Sequence, residues 1–169
     1  MILIDTPRLQ MREFTLDDVD DVYAFANNPQ VSKYTGDAGM VKTKDDAALI
    51  IKDVWMADYE RYGYGRYALI YKAEQKIIGF CGVKFEKRLN ATDIGYRLLP
   101  EYWGKGLATE AVKAAMNYAN DTLGIKRILA DAVDENTASN KILRKLGFEK
   151  IDSYYDQGFK LIRYESLCN

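Results

Sequence analysis

Histidine is missing from all 169 residues. That absence removes every Ser-His-Asp or Cys-His nucleophile pair and every histidine metal site. Acid–base chemistry falls to carboxylates, tyrosines, serines, thiols or bound water. Cysteine is scarce as well: Cys81 and Cys168 are too few for a disulfide framework and sit in no ligand-spaced cluster, so no metal site is expected. Charge of one sign is also lacking. Lys plus Arg is 24 against 25 Asp plus Glu, a net charge of −1, which offers no broad basic field to nucleic acid or an anionic membrane. No stretch approaches the ~20 apolar residues of a membrane span. The opening Met1–Pro7 has neither a charged n-region nor a useful apolar run. What remains, 48% apolar and 29% charged, is ordinary for a globular chain. We expect one reduced, soluble, cytoplasmic domain over residues 1–169, with no nucleic-acid or membrane partner.

The chain itself is well punctuated. Arg8 to Phe14 alternates apolar and polar residues as a strand, and Thr15 with Asp17 and Asp18 caps a helix. Val19, Val22, Tyr23 and Ala26 give that helix its apolar face, and Asn27-Asn28-Pro29 stops it. A polar stretch with Gly36 and Gly39 leads to a second helix, Thr43 to Tyr62, carrying Ala47, Ile50, Ile51, Val54 and Trp55 at helical spacing. Arg66 to Lys72 and Lys76 to Glu86 read as paired strands turning at Ala73-Glu74-Gln75, the second apolar enough to be central. A strand from Asp93 to Leu98 follows. The next helix has Ala108, Ala111, Ala115, Tyr118 and Ala119 on one face, Glu110, Lys113, Asn117 and Asp121 on the other, and Gly124 as its left-handed close. Arg127 to Val133 is a strand, and a strand–helix–strand unit makes a right-handed parallel crossover. A short helix with Ala138, Ile142 and Leu146 on one face closes at Gly147, and strands Phe148 to Tyr155 and Phe159 to Leu167 complete the chain. The order β-α-α-β-β-β-α-β-α-β-β predicts an α/β protein of the α+β kind: a mixed, mostly antiparallel sheet with one parallel β-α-β crossover and helices on its faces.

Asp93 to Glu110 organises the rest. Its strand ends at Pro100, and Gly104 and Gly106 turn the chain into the long helix. Glycine there lets backbone N–H groups approach a ligand with no Cβ in the way, and the first turn of the helix adds unpaired donors and a positive dipole end. Together these make an anion cradle, most often one for phosphate. The dinucleotide fingerprint does not fit: Gly104-Lys-Gly106-Leu-Ala-Thr109 lacks the third glycine, and too little chain follows Asp131.

The run Gly95–Ala111 resembles motif A of the GNAT superfamily of acetyl-CoA-dependent N-acetyltransferases. The family pattern Q/R-x-x-G-x-G/A falls on Trp103-Gly104-Lys105-Gly106-Leu107-Ala108, with Trp103 in place of the usual Gln or Arg. Tryptophan before Gly-Lys-Gly is similar to the RimJ/RimL branch, which acetylates N-terminal amines of ribosomal proteins. Thr6-Pro-Arg-Leu-Gln-Met-Arg12 with Asp17-Asp18 resembles that branch's opening, and Asn136 to Phe148 resembles motif B. The resemblance implies a GNAT-type fold in which acetyl-CoA, as co-substrate, lies in a V between the strands ending at Leu98 and Val133.

In that fold Trp103, Gly104, Lys105, Gly106, Leu107, Ala108 and Thr109 would surround the pyrophosphate. Backbone groups of Leu98 and Leu99 would pair with the pantetheine arm, and Asn136 and Ser139 would approach its other end. Lys105, Arg144 and Lys145 are candidates for the remote phosphate of CoA. Ser139 matches the position of the acid proposed for the branch to protonate the departing thiolate. For the base, Glu86 and Asp93 are the carboxylates nearest the V in sequence, either of them acting through water. Tyr34, Trp55, Tyr59, Tyr62 and Tyr64 would wall the acceptor side. The resemblance implies an acyltransferase acting on a protein or peptide N-terminal amine. A polyamine or aminoglycoside acceptor, or a silent acyl-CoA-binding module, stays open, and a homodimer is allowed.

Overall fold

The computed structural model describes residues 1–168. Eight strands form one sheet in the order β1-β2-β3-β4-β5-β6-β8-β7: β1 Ile4–Asp5, β2 Leu9–Arg12, β3 Tyr67–Tyr71, β4 Lys76–Glu86, β5 Ala91–Leu98, β6 Arg127–Val133, β7 Glu149–Asp156 and β8 Phe159–Leu167. Every neighbouring pair is antiparallel except β5 and β6, the parallel crossover expected from the strand–helix–strand pattern. β1 was not expected. Two residues carry too little alternation to be read, and this strand forms because Leu3 and Thr6 flank it with bonds to Met11 and Leu9. No helix among the described residues is long and apolar enough to cross a membrane, and both cysteines are free.

The helices start where the sequence offers caps. Thr15 accepts from Asp17 N–H and Asp18 reaches back, closing a capping box on the 3-10 turn Leu16–Asp18 that leads into α1, Val19–Ala26. Asn28-Pro29 does more than stop α1. Asn28 accepts from Gln30 N–H and Pro29 takes the first position of a one-turn helix, α2, Pro29–Ser32. Thr43 and Asp46 make a second capping box for α3, Lys44–Ile50. The predicted single helix to Tyr62 is interrupted by π-type turns over Ile51–Met56 before α4, Ala57–Tyr62, ends at left-handed Gly63. The wider turns bury Ile51 and Trp55, and Trp55 stacks on Phe14 at 4.3 Å.

Helix α5, Leu107–Asp121, buries Leu107, Ala111, Val112, Ala115 and Ala119, so mostly small side chains set its close approach to β4 and β5. Gly124 closes it as expected, with Ile125 N–H donating to the Ala119 carbonyl at 2.9 Å. Glu110 departs from expectation: it lies on no free polar face but is bonded to Thr6 and Arg8. Phe80 of β4 meets Phe25 of α1 and Trp55, whereas Tyr67, opposite Cys81, meets Tyr118 of α5. Consecutive residues point to opposite faces, so α1 and the Trp55 segment cover one face and α5 the other.

Helix α6, Thr137–Lys145, is turned from its predicted face. Ala138 is exposed, and Asn140 and Leu143 are buried. The cause is Asn140, whose amide donates to the carbonyls of Val133 (2.9 Å) and Asn136 (2.8 Å) and accepts from Tyr164 Oη at 2.6 Å. One side chain thus ties the end of β6, the start of α6 and β8 together. Asn140→Ala leaves the buried Tyr164 hydroxyl without its acceptor, whereas the Val133 and Asn136 carbonyls keep the main-chain N–H groups of Asn136 and Asn140. A buried polar group left unsatisfied costs about 1–3 kcal/mol. The expected loss is about 1–3 kcal/mol, measured as a fall in the urea midpoint at unchanged m-value.

Candidate active site

The site begins as a gap in the sheet. β5 and β6 pair only at Thr92↔Ile128 and Asp93↔Leu129. Beyond those positions each strand keeps its outer partner, β5 along β4 to Leu98 and β6 along β8 to Val133, but the two no longer touch in register. The V is therefore real, and its edges carry free main-chain groups. In an antiparallel ladder, opposite residues alternate between exchanging both bonds and exchanging none. Leu99 N–H donates to Ile78 C=O at 2.8 Å, so the alternation turns the main-chain groups of Ile94, Tyr96 and Leu98 away from β4 and into the V. This corrects part of the expected pairing. Both Leu99 groups are spent, its carbonyl accepting from Tyr102 N–H. The Leu98 carbonyl is held by Trp103 Nε1 at 2.8 Å. Tyr96 and the Leu98 N–H remain for a peptide-like ligand.

At the wide end of the V sits the glycine turn. Gly104 and Gly106 both take the left-handed conformation, φ 73° and 77°, where an L side chain is strained. Among the described residues no side chain caps α5. The starts at Leu16, Pro29, Lys44 and Thr137 are capped by Thr15, Asn28, Thr43 and Asn136. The first intrahelical bond of α5 runs from Glu110 N–H to Gly106 C=O, leaving the N–H groups of Leu107, Ala108 and Thr109 without a helical acceptor. A 15-residue helix with a bare start, opening onto an unpaired strand edge, suits an anion joined to an amide-bearing arm. Lys105 lies with Nζ 5.7 Å from the Tyr102 ring, close to this turn. Arg144 and Lys145 are exposed in the last turn of α6, at the far end from its Asn136 cap.

The other wall is the start of α6. Asn136 Oδ1 accepts from Ser139 N–H at 3.2 Å, and Asn136 N–H donates to Val133 C=O at 2.9 Å. Ser139 Oγ then reaches across the V to Tyr96 Oη, 2.6 Å away. Burial pushes the Tyr96 hydroxyl up to about 12, and its bond to Ser139 opposes that only in part. The reading from sequence treated Tyr96 as an ordinary strand residue. The available signal was a polar tip in the otherwise apolar alternation Ile94, Tyr96, Leu98.

The two carboxylates stand elsewhere. Asp93 faces Lys84 and Glu86 faces Ala91 across the β4–β5 ladder, whereas Tyr96 faces Cys81. Opposite residues share a face and neighbours alternate, which puts Asp93 and Glu86 on the face opposite Tyr96 and Ser139. Asp93 is ion-paired to Arg66 at 2.8 Å, and Arg66 also donates to Gly82 C=O at 2.7 Å. A Cβ on Gly95 would lie 2.6 Å from that guanidinium carbon, so glycine there makes room for Arg66. Glu86 lies at the closed end of β5, 3.4 Å from Lys84, which shares itself with Asp58. The structure therefore brings Asp93 to the vertex and leaves Glu86 away from it. On the same face Asp131 is gripped by both Arg163 nitrogens (2.9 Å each) and by Tyr154 Oη (2.6 Å).

The expected aromatic wall divides. Trp55 is core, and the Tyr59 hydroxyl is spent on Arg66 C=O and Phe14 N–H. Tyr62 packs on Phe85. Tyr64 bonds Thr92 at the vertex (2.9 Å), and Tyr34 meets Phe159 edge-on at the β7–β8 turn.

A sheet splayed at its one parallel pair, with a bare helix start at the mouth, defines an acyl-CoA cleft. Residues 8–149 match the family described as the acetyltransferase (GNAT) domain, and the chain belongs to that family, whose members use acetyl-CoA and an amine acceptor. The uncharacterized N-acetyltransferase p20 of Bacillus licheniformis is 33% identical over 148 residues, covering 86% of this chain and 81% of that one. The [ribosomal protein uS5]-alanine N-acetyltransferase of Escherichia coli is 38% identical over 79 residues, 46% of this chain and 41% of the other. Among solved structures, the RimL ribosomal L7/L12 α-N-protein acetyltransferase with coenzyme A superposes with a TM-score of 0.85 at 19% identity, covering 99% and 98% of the two chains.

Tyr96 supplies a pH test of the cleft. The unfolded chain ionises its tyrosines near the ordinary value of 10, so between pH 10 and 12 the folded state keeps a proton the unfolded state has lost, and stability falls as pH rises through that window. Absorbance titration at 295 nm is expected to show a late phase that shrinks by one tyrosine in Tyr96→Phe.

Proposed function

We propose that this N-acetyltransferase acts on the N-terminal α-amine of a protein or peptide, with Ser139 as the acid and Asp93 on the acceptor side. The observation that carries the chemistry is the Ser139–Tyr96 contact across the open edge. The thioester carbonyl of acetyl-CoA lies against the free N–H groups of β5, which stabilise the oxyanion as the amine attacks. The C–N bond forms, the C–S bond breaks, and the sulfur leaves as a thiolate. Ser139 gives that sulfur its proton and recovers one from Tyr96, which burial keeps protonated and which regains its own proton from solvent once the thiol has left. The proton lost by nitrogen leaves on the opposite face, through water beside Asp93. Acid and base thus work from the two sides of the sheet, and donor and acceptor enter separately. The position of Glu86 favours a structural pairing with Lys84 over catalysis.

Support for an N-terminal amine comes from the segment shared with the uS5-alanine enzyme and from the RimL likeness. The test is acetyl-CoA turnover with peptides beginning Ala, Ser or Thr, alongside spermidine, an aminoglycoside and free amino acids. Peptide-dependent thiol release supports the proposal, and release with a small amine alone overturns the acceptor. Silence with all of them while acetyl-CoA binds would favour a binding module. Ser139→Ala is expected to lower kcat by about 10²-fold, with KM for acetyl-CoA within about twofold. Asp93→Asn is expected to shift the pH profile of kcat/KM for the amine and to leave acetyl-CoA affinity alone.

A further inference from the structure

The first turn of α5 holds a charge of the wrong sign. A helix start that receives a pyrophosphate is best kept free of carboxylates, yet Glu110 stands there. Both of its oxygens are engaged. They accept from Thr6 Oγ1 (2.7 Å), from the Arg8 main-chain N–H (3.1 Å) and from Arg8 Nε (2.9 Å). Burial pushes the Glu110 carboxyl up, but these bonds outweigh it and hold it below the ordinary carboxylate range. The same guanidinium donates from Nη1 to the Lys105 carbonyl at 2.8 Å, and its Nη2 lies 3.5 Å from where a Cβ on Gly106 would stand. The turn between β1 and β2 is thereby bolted to the cradle from 97 residues away.

The Lys105–Gly106 peptide is trans, as all described peptides are, so its C=O and N–H point to opposite sides. Holding the carbonyl on the Arg8 side aims the Gly106 N–H away from Arg8. Among the described residues no side chain caps this helix start, and left-handed glycines stand in the peptide (Gly106) and just before it (Gly104). Arg8 is the side chain that fixes it.

We propose that Arg8, seated by Glu110 and Thr6, is a positioning residue of the donor site: it orients the Lys105–Gly106 peptide so that the cradle's N–H groups converge on the pyrophosphate of acetyl-CoA. The inference rests on reading the cradle as the pyrophosphate site. The experiment compares wild type, Arg8→Ala, Arg8→Lys and Glu110→Gln by calorimetry with acetyl-CoA, and by turnover with acetyl-CoA and with S-acetylpantetheine, which keeps the thioester and lacks the pyrophosphate.

Arg8→Ala is expected to weaken acetyl-CoA about 10- to 100-fold, the worth of a hydrogen bond to a charged group, and to leave kcat/KM for S-acetylpantetheine unchanged. Glu110→Gln is a test of sign. Removing a negative charge beside an anion site tightens binding by charge alone, whereas loss of the clamp weakens it. Weaker binding is the expected result. Arg8→Lys keeps the charge but cannot bond both Glu110 and Lys105 as the guanidinium does, so it is expected to rescue little. Tighter binding in Glu110→Gln, full rescue by lysine, or equal losses with both donors would overturn the proposal. A wild-type protein that binds acetyl-CoA no better than S-acetylpantetheine would instead overturn the reading of the cradle, whatever Arg8 does. Should Arg8→Ala fail to fold, the other two variants carry the test.

Discussion

Two rungs, Thr92↔Ile128 and Asp93↔Leu129, are all that joins the two halves of the sheet. A parallel pair needs a crossover, and here the crossover is the whole of α5 with its glycine turn. If the rungs continued to Leu98, the sheet would close and the edge would have no groups to offer. The gap costs unsatisfied main-chain donors and acceptors on both strands, which is acceptable only if water or a ligand completes them. The molecule limits the opening from outside: β4 and β8 pair with β5 and β6 along their length, Asn140 locks the end of β6 to α6 and β8, and Trp103 shields the last carbonyl of β5.

That one interruption also sorts the chemistry. Because side chains alternate across a strand, β5 delivers Tyr96 to the α5 face and Asp93 to the other from positions three residues apart. The serine on α6 meets the tyrosine, and Arg66 meets the aspartate. In the proposed mechanism, protonation of the leaving sulfur and removal of a proton from nitrogen would thus proceed on opposite sides of one acyl carbon without the two groups neutralising each other.

Elements with local signals were legible in the sequence. The strands from β2 onward, the capping boxes at Thr15 and Thr43, the glycine turn and the closing glycines Gly124 and Gly147 depend on residues a few positions apart. What escaped depends on distant partners. α6 presents Asn140 inward because its amide finds the cap of its own helix and one group on each of two strands, β6 and β8, which no hydrophobic period reveals. Glu110 reads as a solvent-facing acid until Thr6 and Arg8 arrive from the opposite end of the chain. Tyr96 is an aromatic strand residue like many others until Ser139 closes on it. The carboxylates were chosen by nearness in sequence to the V, and the ladder then separated them, one at the vertex and one at the closed end.

The account stands on β5 offering a free edge to the arm of acetyl-CoA, and amide hydrogen exchange at single-residue resolution tests it most directly. With acetyl-CoA at saturation, the N–H groups of Tyr96, Leu98 and Gly106 to Thr109 should change from fast to slow exchange. Those of Arg97 and Leu99, paired with β4 in either state, should be slow throughout. Tight binding that leaves the Tyr96 and Leu98 amides in fast exchange would contradict it, because the donor would then lie somewhere other than between the two strands.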